Sequence, residues 1–290
     1  MEPTSDTVVR LKDGRGIGVA EFGEPSGFPV FYLHGFPSCR LEPAISHEPA
    51  AAQDVRLIAL DRPGIGRSDP APRANVARTV NDVVACADAL GIDRFAVLGG
   101  SGGGPYALAC ARKFPERLTA VGVVSGFGRI GAPGTREGMR WGNRLAFSTA
   151  RTIPYIAHAA MWTMGRSVRN DPDKAVRQMA QAMGGRDTER LLEPDTFGAL
   201  RTTVVEAFRA GNQGQVDDMR RLVGHWGFRL GNIPMPVYLW HGLDDRLVPE
   251  SMARDIVDLV PDCRAEFVPG EGHLLALTHV DEILRSLRPA

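Results

Sequence analysis

The sequence has little of what marks a nucleic-acid-binding, membrane-spanning or disulfide-stabilised protein. Its 34 basic and 34 acidic residues cancel to a formal net charge of zero, which removes the general electrostatic attraction of basic proteins to nucleic acid and anionic lipid. Apolar residues make up 43% of the chain, yet they form no run that approaches the ~18 residues of a membrane span. We therefore expect no nucleic-acid and no membrane partner.

Cysteine is also scarce. The four cysteines, Cys39, Cys86, Cys110 and Cys263, include no C-x-x-C pair, and no histidines stand at metal-ligand spacing. We therefore expect no structural zinc, no other metal and no cofactor. Residues 1–16 lack the basic-then-apolar pattern of a secretory signal, and we expect a cytoplasmic, reduced protein.

Short β-rich runs alternate with helical patterns, which is typical of an α/β fold with a mostly parallel twisted sheet and crossover helices. The predicted strands cover residues 8–11, 17–22, 29–35, 56–61, 95–99, 118–124, 236–242 and 265–268. The length of 290 residues fits two domains, or one α/β domain that carries an insertion. Because residues 127–233 show helical patterns and no clear strand, we predict an α/β core in 1–126 and 234–290 with a helical insertion over 127–233.

A glycine-rich turn, Gly99-Gly100-Ser101-Gly102-Gly103, joins a predicted strand to a predicted helix. This G-x-S-x-G pattern indicates a nucleophilic serine, because a sharp strand-to-helix turn strains its central residue and leaves no room for flanking side chains. The serine would then stand at a helix N-terminus, where free backbone N–H groups favour negative charge. A phosphate-cradling loop is the alternative, but G-K-[ST] is absent and the dinucleotide pattern fits poorly.

A nucleophilic serine needs a base, and the base needs an acid that fixes its tautomer. Asp244 and Asp245 follow the predicted strand 236–242, and His273 follows the last predicted strand. These residues are the candidates for the acid and the base.

Five motifs, in order along nearly the whole chain, resemble landmarks of the α/β-hydrolase superfamily. They are Leu33-His-Gly-Phe-Pro37, Asp61-Arg-Pro-Gly-Ile-Gly-Arg-Ser68, Gly99–Gly103, His241-Gly-x-x-Asp245 and Gly272-His273. The resemblance implies catalysis by Ser101, an acid and His273 in that chain order. By the H-G-x-x-D pattern the acid is Asp245, and the alternative, Asp244, would only cap a turn or helix.

The resemblance also implies that the backbone N–H groups of Phe36 and Gly102 form an oxyanion hole, and that the insertion covers the serine as a lid. Aromatic residues and methionines are frequent in the insertion. Most of them would fill the core of the helical layer, and some would line an apolar substrate pocket. The candidates for the pocket are Trp141, Tyr155, Met161 and Trp162.

We therefore expect a serine hydrolase that cleaves a small or medium apolar ester, thioester, lactone or amide through an acyl-enzyme. Its partner would be a small-molecule substrate. One alternative is a C–C bond hydrolase of the meta-cleavage type, which uses the same catalytic residues and often carries an additional arginine in its pocket. Another is a non-hydrolytic biosynthetic catalyst or a ligand-binding protein on the same scaffold. Proline iminopeptidases place their lid similarly, but they typically have tryptophan where this chain has Gly102.

Overall fold

The computed structural model describes residues 2–71, 74–139, 142, 147 and 154–288. Eight strands form one sheet in the order β1-β2-β4-β3-β5-β6-β7-β8. The strand β2 runs antiparallel to both β1 and β4, and every other neighbouring pair is parallel. The strands are β1 (Ser5–Arg10), β2 (Gly16–Gly23), β3 (Phe28–Leu33), β4 (Val55–Leu60), β5 (Phe95–Gly100), β6 (Leu118–Val124), β7 (Val237–Gly242) and β8 (Cys263–Val268).

Helices connect the parallel strands, so the predicted α/β fold with a mostly parallel sheet is confirmed. The helices on the two faces of the sheet are α1 (His47–Ala52), α2 (Val76–Thr79), α3 (Asn81–Ala89), α4 (Gly104–Lys113), α10 (Glu250–Leu259) and α11 (Ala276–Leu287). A short 3-10 helix, Glu42–Ser46, precedes α1. The central strand β5 is buried on both faces, which explains its continuous apolar run.

The described residues between β6 and β7 form further helices. These are α5 (Pro154–Asn170), α6 (Pro172–Met183), α7 (Gly185–Leu192), α8 (Pro194–Ala207) and α9 (Gln213–Val223). They share a small apolar core around Val176, Val204 and Phe208, which also contains Cys39 and Ile65 from the loops after β3 and β4. The helices therefore pack directly onto the edge of the sheet where the parallel strands end.

Within the described ranges, no helix is both long enough and apolar enough to cross a membrane. The same ranges contain no group of three or more His, Cys, Asp or Glu side chains placed to hold a metal ion.

Candidate active site

Ser101 stands in a tight turn between the end of β5 and the start of α4. Its φ is +50°, in the left-handed region that non-glycine residues rarely adopt. The neighbouring Gly103 lies against β3 so closely that a Cβ there would overlap the carbonyl oxygen of Leu33. Packing therefore holds the serine in its strained conformation at the N-terminal end of a helix.

Asp245 follows β7 and is buried, and its two carboxylate oxygens have separate partners. Oδ1 accepts hydrogen bonds from the backbone N–H groups of Leu247 and Val248, both at 2.8 Å, which fixes the carboxylate. Oδ2 lies 2.7 Å from Nδ1 of His273. Because a carboxylate only accepts, the neutral ring carries its proton on Nδ1 and leaves Nε2 as an acceptor. Asp244, the alternative acid, is solvent-exposed.

The pKa of His273 is raised above its ordinary value. Burial alone would lower this pKa, but the carboxylates of Asp245, Asp187 and Glu42 together outweigh burial, and Asp245 contributes most of this opposing effect. His273 and Ser101 line the same cavity. The arrangement therefore places an imidazole of raised pKa and a serine hydroxyl at one cavity.

The loop that follows β3 lies beside the serine turn. A Cβ on Gly102 would lie 2.8 Å from Cβ and 3.1 Å from the backbone nitrogen of Phe36. In the part of the chain that the structure describes, the N–H groups of these two residues have no protein acceptor. Two free N–H donors close together beside a hydroxyl are suited to stabilise an oxyanion.

His34 supports this loop from within the core. Its Nδ1–H donates to the carbonyl oxygen of Gly35 at 2.9 Å, and the backbone N–H of Arg62 donates to Nε2 at 3.3 Å. Burial, with the nearby Arg62 charge, holds the pKa of His34 well below its usual range. Both ring nitrogens are occupied, so His34 is not placed to act as the base.

A cavity of about 730 Å³ is lined by Ser101 and His273 together with mostly apolar residues. Its described lining contains no Arg or Lys, and its acidic residue is Glu42. Oε1 of Glu42 accepts a hydrogen bond from the Tyr32 hydroxyl at 2.6 Å, and Oε2 accepts one from the Gly35 N–H at 2.8 Å. The cavity is therefore suited to a largely apolar ligand that does not carry a carboxylate near the serine.

The profile of the family described as alpha/beta hydrolase fold matches residues 29–280. The chain belongs to this family. A proline iminopeptidase of Xylella fastidiosa strain 9a5c is 36% identical in an alignment that covers 93% of this chain and 91% of that protein. A 2-hydroxymuconate semialdehyde hydrolase of Pseudomonas putida is 26% identical over 265 residues, which cover 89% and 85% of the two chains.

Solved structures agree on the fold. A thermophilic esterase from Thermogutta terrifontis matches with a TM-score of 0.70 at 20% identity, over 98% of this chain and 97% of the esterase. Family membership and the relatives named as hydrolases together establish that this protein is a hydrolase.

The cavity wall of this α/β hydrolase lies elsewhere than the sequence suggests. Tyr155 is 86% exposed and Trp162 48% exposed, because these residues, two turns apart, share the outward face of α5. Met161 is buried, but neither it nor the two aromatic residues line the cavity. Trp141 lies outside the described residues. The methionines on the wall are Met164, Met179 and Met183.

Sequence analysis missed Asp187, a buried residue on α7 that holds the loop carrying His273. Its Oδ2 accepts a hydrogen bond from the backbone N–H of His273 at 2.7 Å, and Oδ1 accepts one from the N–H of Leu274 at 3.0 Å. From the same helix, Arg190 forms an ion pair with Glu271 of this loop. The helix α7 therefore holds the loop that carries His273. Asp187 and Arg190 belong to none of the motifs found in the sequence.

A second missed group supports the loop after β3. The guanidinium of Arg62 donates to the carbonyl oxygens of His34 and Gly35, the latter at 2.7 Å. Asp218 on α9 accepts from this guanidinium through both oxygens, at 2.9 and 2.7 Å, and from the Tyr106 hydroxyl at 2.6 Å. Arg62 lies in a family motif, but the motif does not reveal its partner. The helices between β6 and β7 thus contact both halves of the site.

Proposed function

We propose that the protein is a serine hydrolase that cleaves an apolar carboxylic ester through an acyl-enzyme. The observation that carries this proposal is the 2.7 Å contact between Asp245 and His273 at a cavity that Ser101 also lines. Thioesters, lactones and amides offer the same carbonyl carbon and are related substrates. In this proposal the helices between β6 and β7 act as a lid, because they carry part of the cavity wall.

In the acylation step, the hydroxyl oxygen of Ser101 attacks the carbonyl carbon while Nε2 of His273 takes the hydroxyl proton. The oxyanion accepts hydrogen bonds from the N–H groups of Phe36 and Gly102, and one such donor is worth about 2.7–4 kcal/mol in the transition state. The histidine then returns the proton to the leaving alkoxide as the C–O bond breaks. Asp245 stabilises the imidazolium during this exchange.

In the deacylation step, His273 takes a proton from water, and the hydroxide attacks the acyl carbon of the Ser101 ester. The same donors hold the second oxyanion. The proton then returns to the serine oxygen as the acid departs, which restores the free enzyme.

The lining of the cavity favours ester cleavage over C–C bond cleavage of the meta-cleavage type. Hydrolases of that type often carry an additional arginine in the pocket, and the described lining has none. The Glu42 carboxylate would also repel a substrate that carries its own carboxylate near the serine. The match to a 2-hydroxymuconate semialdehyde hydrolase at 26% identity therefore supports the hydrolytic class rather than this reaction.

Release of an N-terminal amino acid is a second candidate function, and Glu42 favours it. A carboxylate near Ser101 would attract the ammonium group of such a substrate, and several relatives are named proline iminopeptidase. However, the Tyr32 hydroxyl and the Gly35 N–H already occupy one acceptor site on each oxygen of Glu42, which leaves one site per oxygen for an ammonium group. Gly102 also stands where proline iminopeptidases typically have tryptophan. Ester hydrolysis is therefore the preferred function.

The test compares the wild type with Ser101→Ala on p-nitrophenyl acetate and butyrate and on proline p-nitroanilide. We expect ester turnover and fluorophosphonate labelling in the wild type, and loss of both in the variant with an unchanged circular dichroism spectrum. Ser26→Ala, in an exposed turn, is the matched control and should retain both. Preferred cleavage of the anilide would favour the second candidate. A wild type that neither turns over any of these substrates nor reacts with fluorophosphonate would refute the serine hydrolase.

A further inference from the structure

The residues that line the cavity form two groups. One group lies between a face of the sheet and α11, and we call this part the sheet lobe; it is lined by Tyr32, Leu57, Leu98, Val280, Ile283 and Leu284. The other group lies beneath the helices between β6 and β7, and we call this part the helix lobe; it is lined by Met164, Met179, Met183, Leu191, Leu200 and Thr203. Ser101 also lines the cavity.

Strand register gives the depth of the sheet lobe. On β5, Gly100 immediately precedes the serine, and Leu98, two residues earlier, pairs with Tyr32. On β3, Val30 lies two residues further from the site and pairs with Leu57. The level of Val30 and Leu57 therefore lies four strand residues below Gly100. At ~3.3 Å per residue, the sheet lobe reaches about 13 Å below the serine turn.

The helix α11 forms the opposite wall over the same length. Ala276, Val280 and Leu284 all line the cavity and follow each other at the spacing of four residues that marks one helix face. The eight residue steps from the first to the last span about 12 Å. The two walls therefore enclose a long space lined mainly by aliphatic side chains.

The two lobes differ in their access to solvent. At the deep end of the sheet lobe, Leu57, Ile283 and Leu284 are each 1% exposed. In the helix lobe, Met183, Leu191 and Thr203 are buried, but Met164, Met179 and Leu200 are only partly buried. In an acyl-enzyme the leaving group departs first, while the acyl group stays bonded to the serine. The closed lobe therefore suits the acyl group, and the more open lobe suits the group that leaves.

We propose that the sheet lobe binds the acyl chain of the substrate, that this chain is unbranched and aliphatic, and that the helix lobe takes the leaving alcohol. This inference rests on the proposed ester hydrolysis and adds its substrate class. The hydroxyl of Tyr32, at the upper end of the sheet lobe, already donates to Glu42, so it does not select a polar chain. Because each buried methylene contributes apolar contact, kcat/KM should rise about fourfold per added methylene until the lobe is filled.

The test measures kcat/KM for p-nitrophenyl acetate, butyrate, hexanoate, octanoate and laurate, and separately for a series of alkyl acetates. Val280→Phe places a ring about halfway along the sheet lobe, and it should lower the octanoate-to-acetate ratio by about tenfold or more. Leu200→Phe makes the same kind of change in the helix lobe. Leu200→Phe should change how kcat/KM depends on the length of the alcohol. The order of kcat/KM along the acyl series should stay the same.

Three results would overturn the assignment. In the wild type, kcat/KM could be independent of acyl length. The dependence on acyl length could also persist in Val280→Phe, or it could change in Leu200→Phe instead. In each case turnover of the acetate and fluorophosphonate labelling would show that ester hydrolysis still holds. If Val280→Phe fails to fold, the crystal structure of wild-type enzyme labelled with an octylphosphonate decides the question. Its alkyl chain should lie between the sheet and α11, and a chain in the helix lobe would refute the proposal.

Discussion

Replacing Asp187 by asparagine tests whether α7 positions the proposed base. The carboxylate accepts one hydrogen bond from His273 and one from Leu274, and a hydrogen bond to a charged group contributes about 1.5–3 kcal/mol. Asparagine keeps one oxygen acceptor and turns an NH₂ group toward the other donor. We therefore expect D187N to lose one bond, about 1.5–3 kcal/mol of unfolding free energy, and D187A to lose up to about 3–6 kcal/mol.

The same substitution has a separate electrostatic effect on His273. The Asp187 charge helps to raise the pKa of this histidine, so its removal lowers that pKa toward the ordinary value. The proposed base acts only when it is neutral, and activity therefore rises as pH passes through the pKa from below. In D187N the acid limb of kcat/KM against pH should shift to lower pH, while kcat at the plateau falls because the loop is held less firmly.

The assay is the pH profile of p-nitrophenyl butyrate hydrolysis, with thermal unfolding measured on the same samples. Asp195→Asn is the control, because it removes an exposed carboxylate on α8 and should change neither the acid limb nor the melting temperature. A D187N whose plateau kcat equals that of the control would refute the positioning role, and an acid limb that coincides with that of the control would refute the electrostatic effect. A purely structural role would lower stability without moving the limb.

Two further outcomes follow from the packing around the site. Gly103→Ala should abolish ester hydrolysis and lower the melting temperature, because the added Cβ would overlap the carbonyl oxygen of Leu33. Unchanged activity would contradict the close approach of the turn to β3. Asp218→Asn weakens the support of Arg62, and we expect kcat to fall about tenfold or more with a smaller change in KM. Steady-state kinetics would contradict this if only KM changed.

The turn around Ser101 could be predicted from the sequence because its causes are local. Glycines on both sides of a serine, between an apolar strand run and a helix, leave few conformations for the backbone. The alternation of strands and helices is local in the same sense, and it predicted the α/β fold. The H-G-x-x-D pattern favoured Asp245 over Asp244, and the structure shows the first in contact with His273 and the second exposed.

Contacts between distant segments could not be predicted. Asp187 and His273 are 86 residues apart, and Asp218 and Arg62 are 156 residues apart. Helical spacing shows that an acidic residue lies on a helix, but it does not show which loop the helix meets. The same limit applies to the predicted pocket residue Trp162: its face of α5 is apolar in part, yet its side chain is exposed and does not line the cavity.

The two buried aspartates connect both loops of the site to the same group of helices. Asp187 on α7 holds the histidine loop and Asp218 on α9 holds the loop after β3, and both come from the helices between β6 and β7. If these helices lifted away to admit a substrate, both loops would lose support at once. Such an open form would bind ligand without reacting, and catalytic competence would return only on closure. In that case the free energy of substrate binding would be linked to assembly of the site, and a poorly fitting ligand would bind without being cleaved.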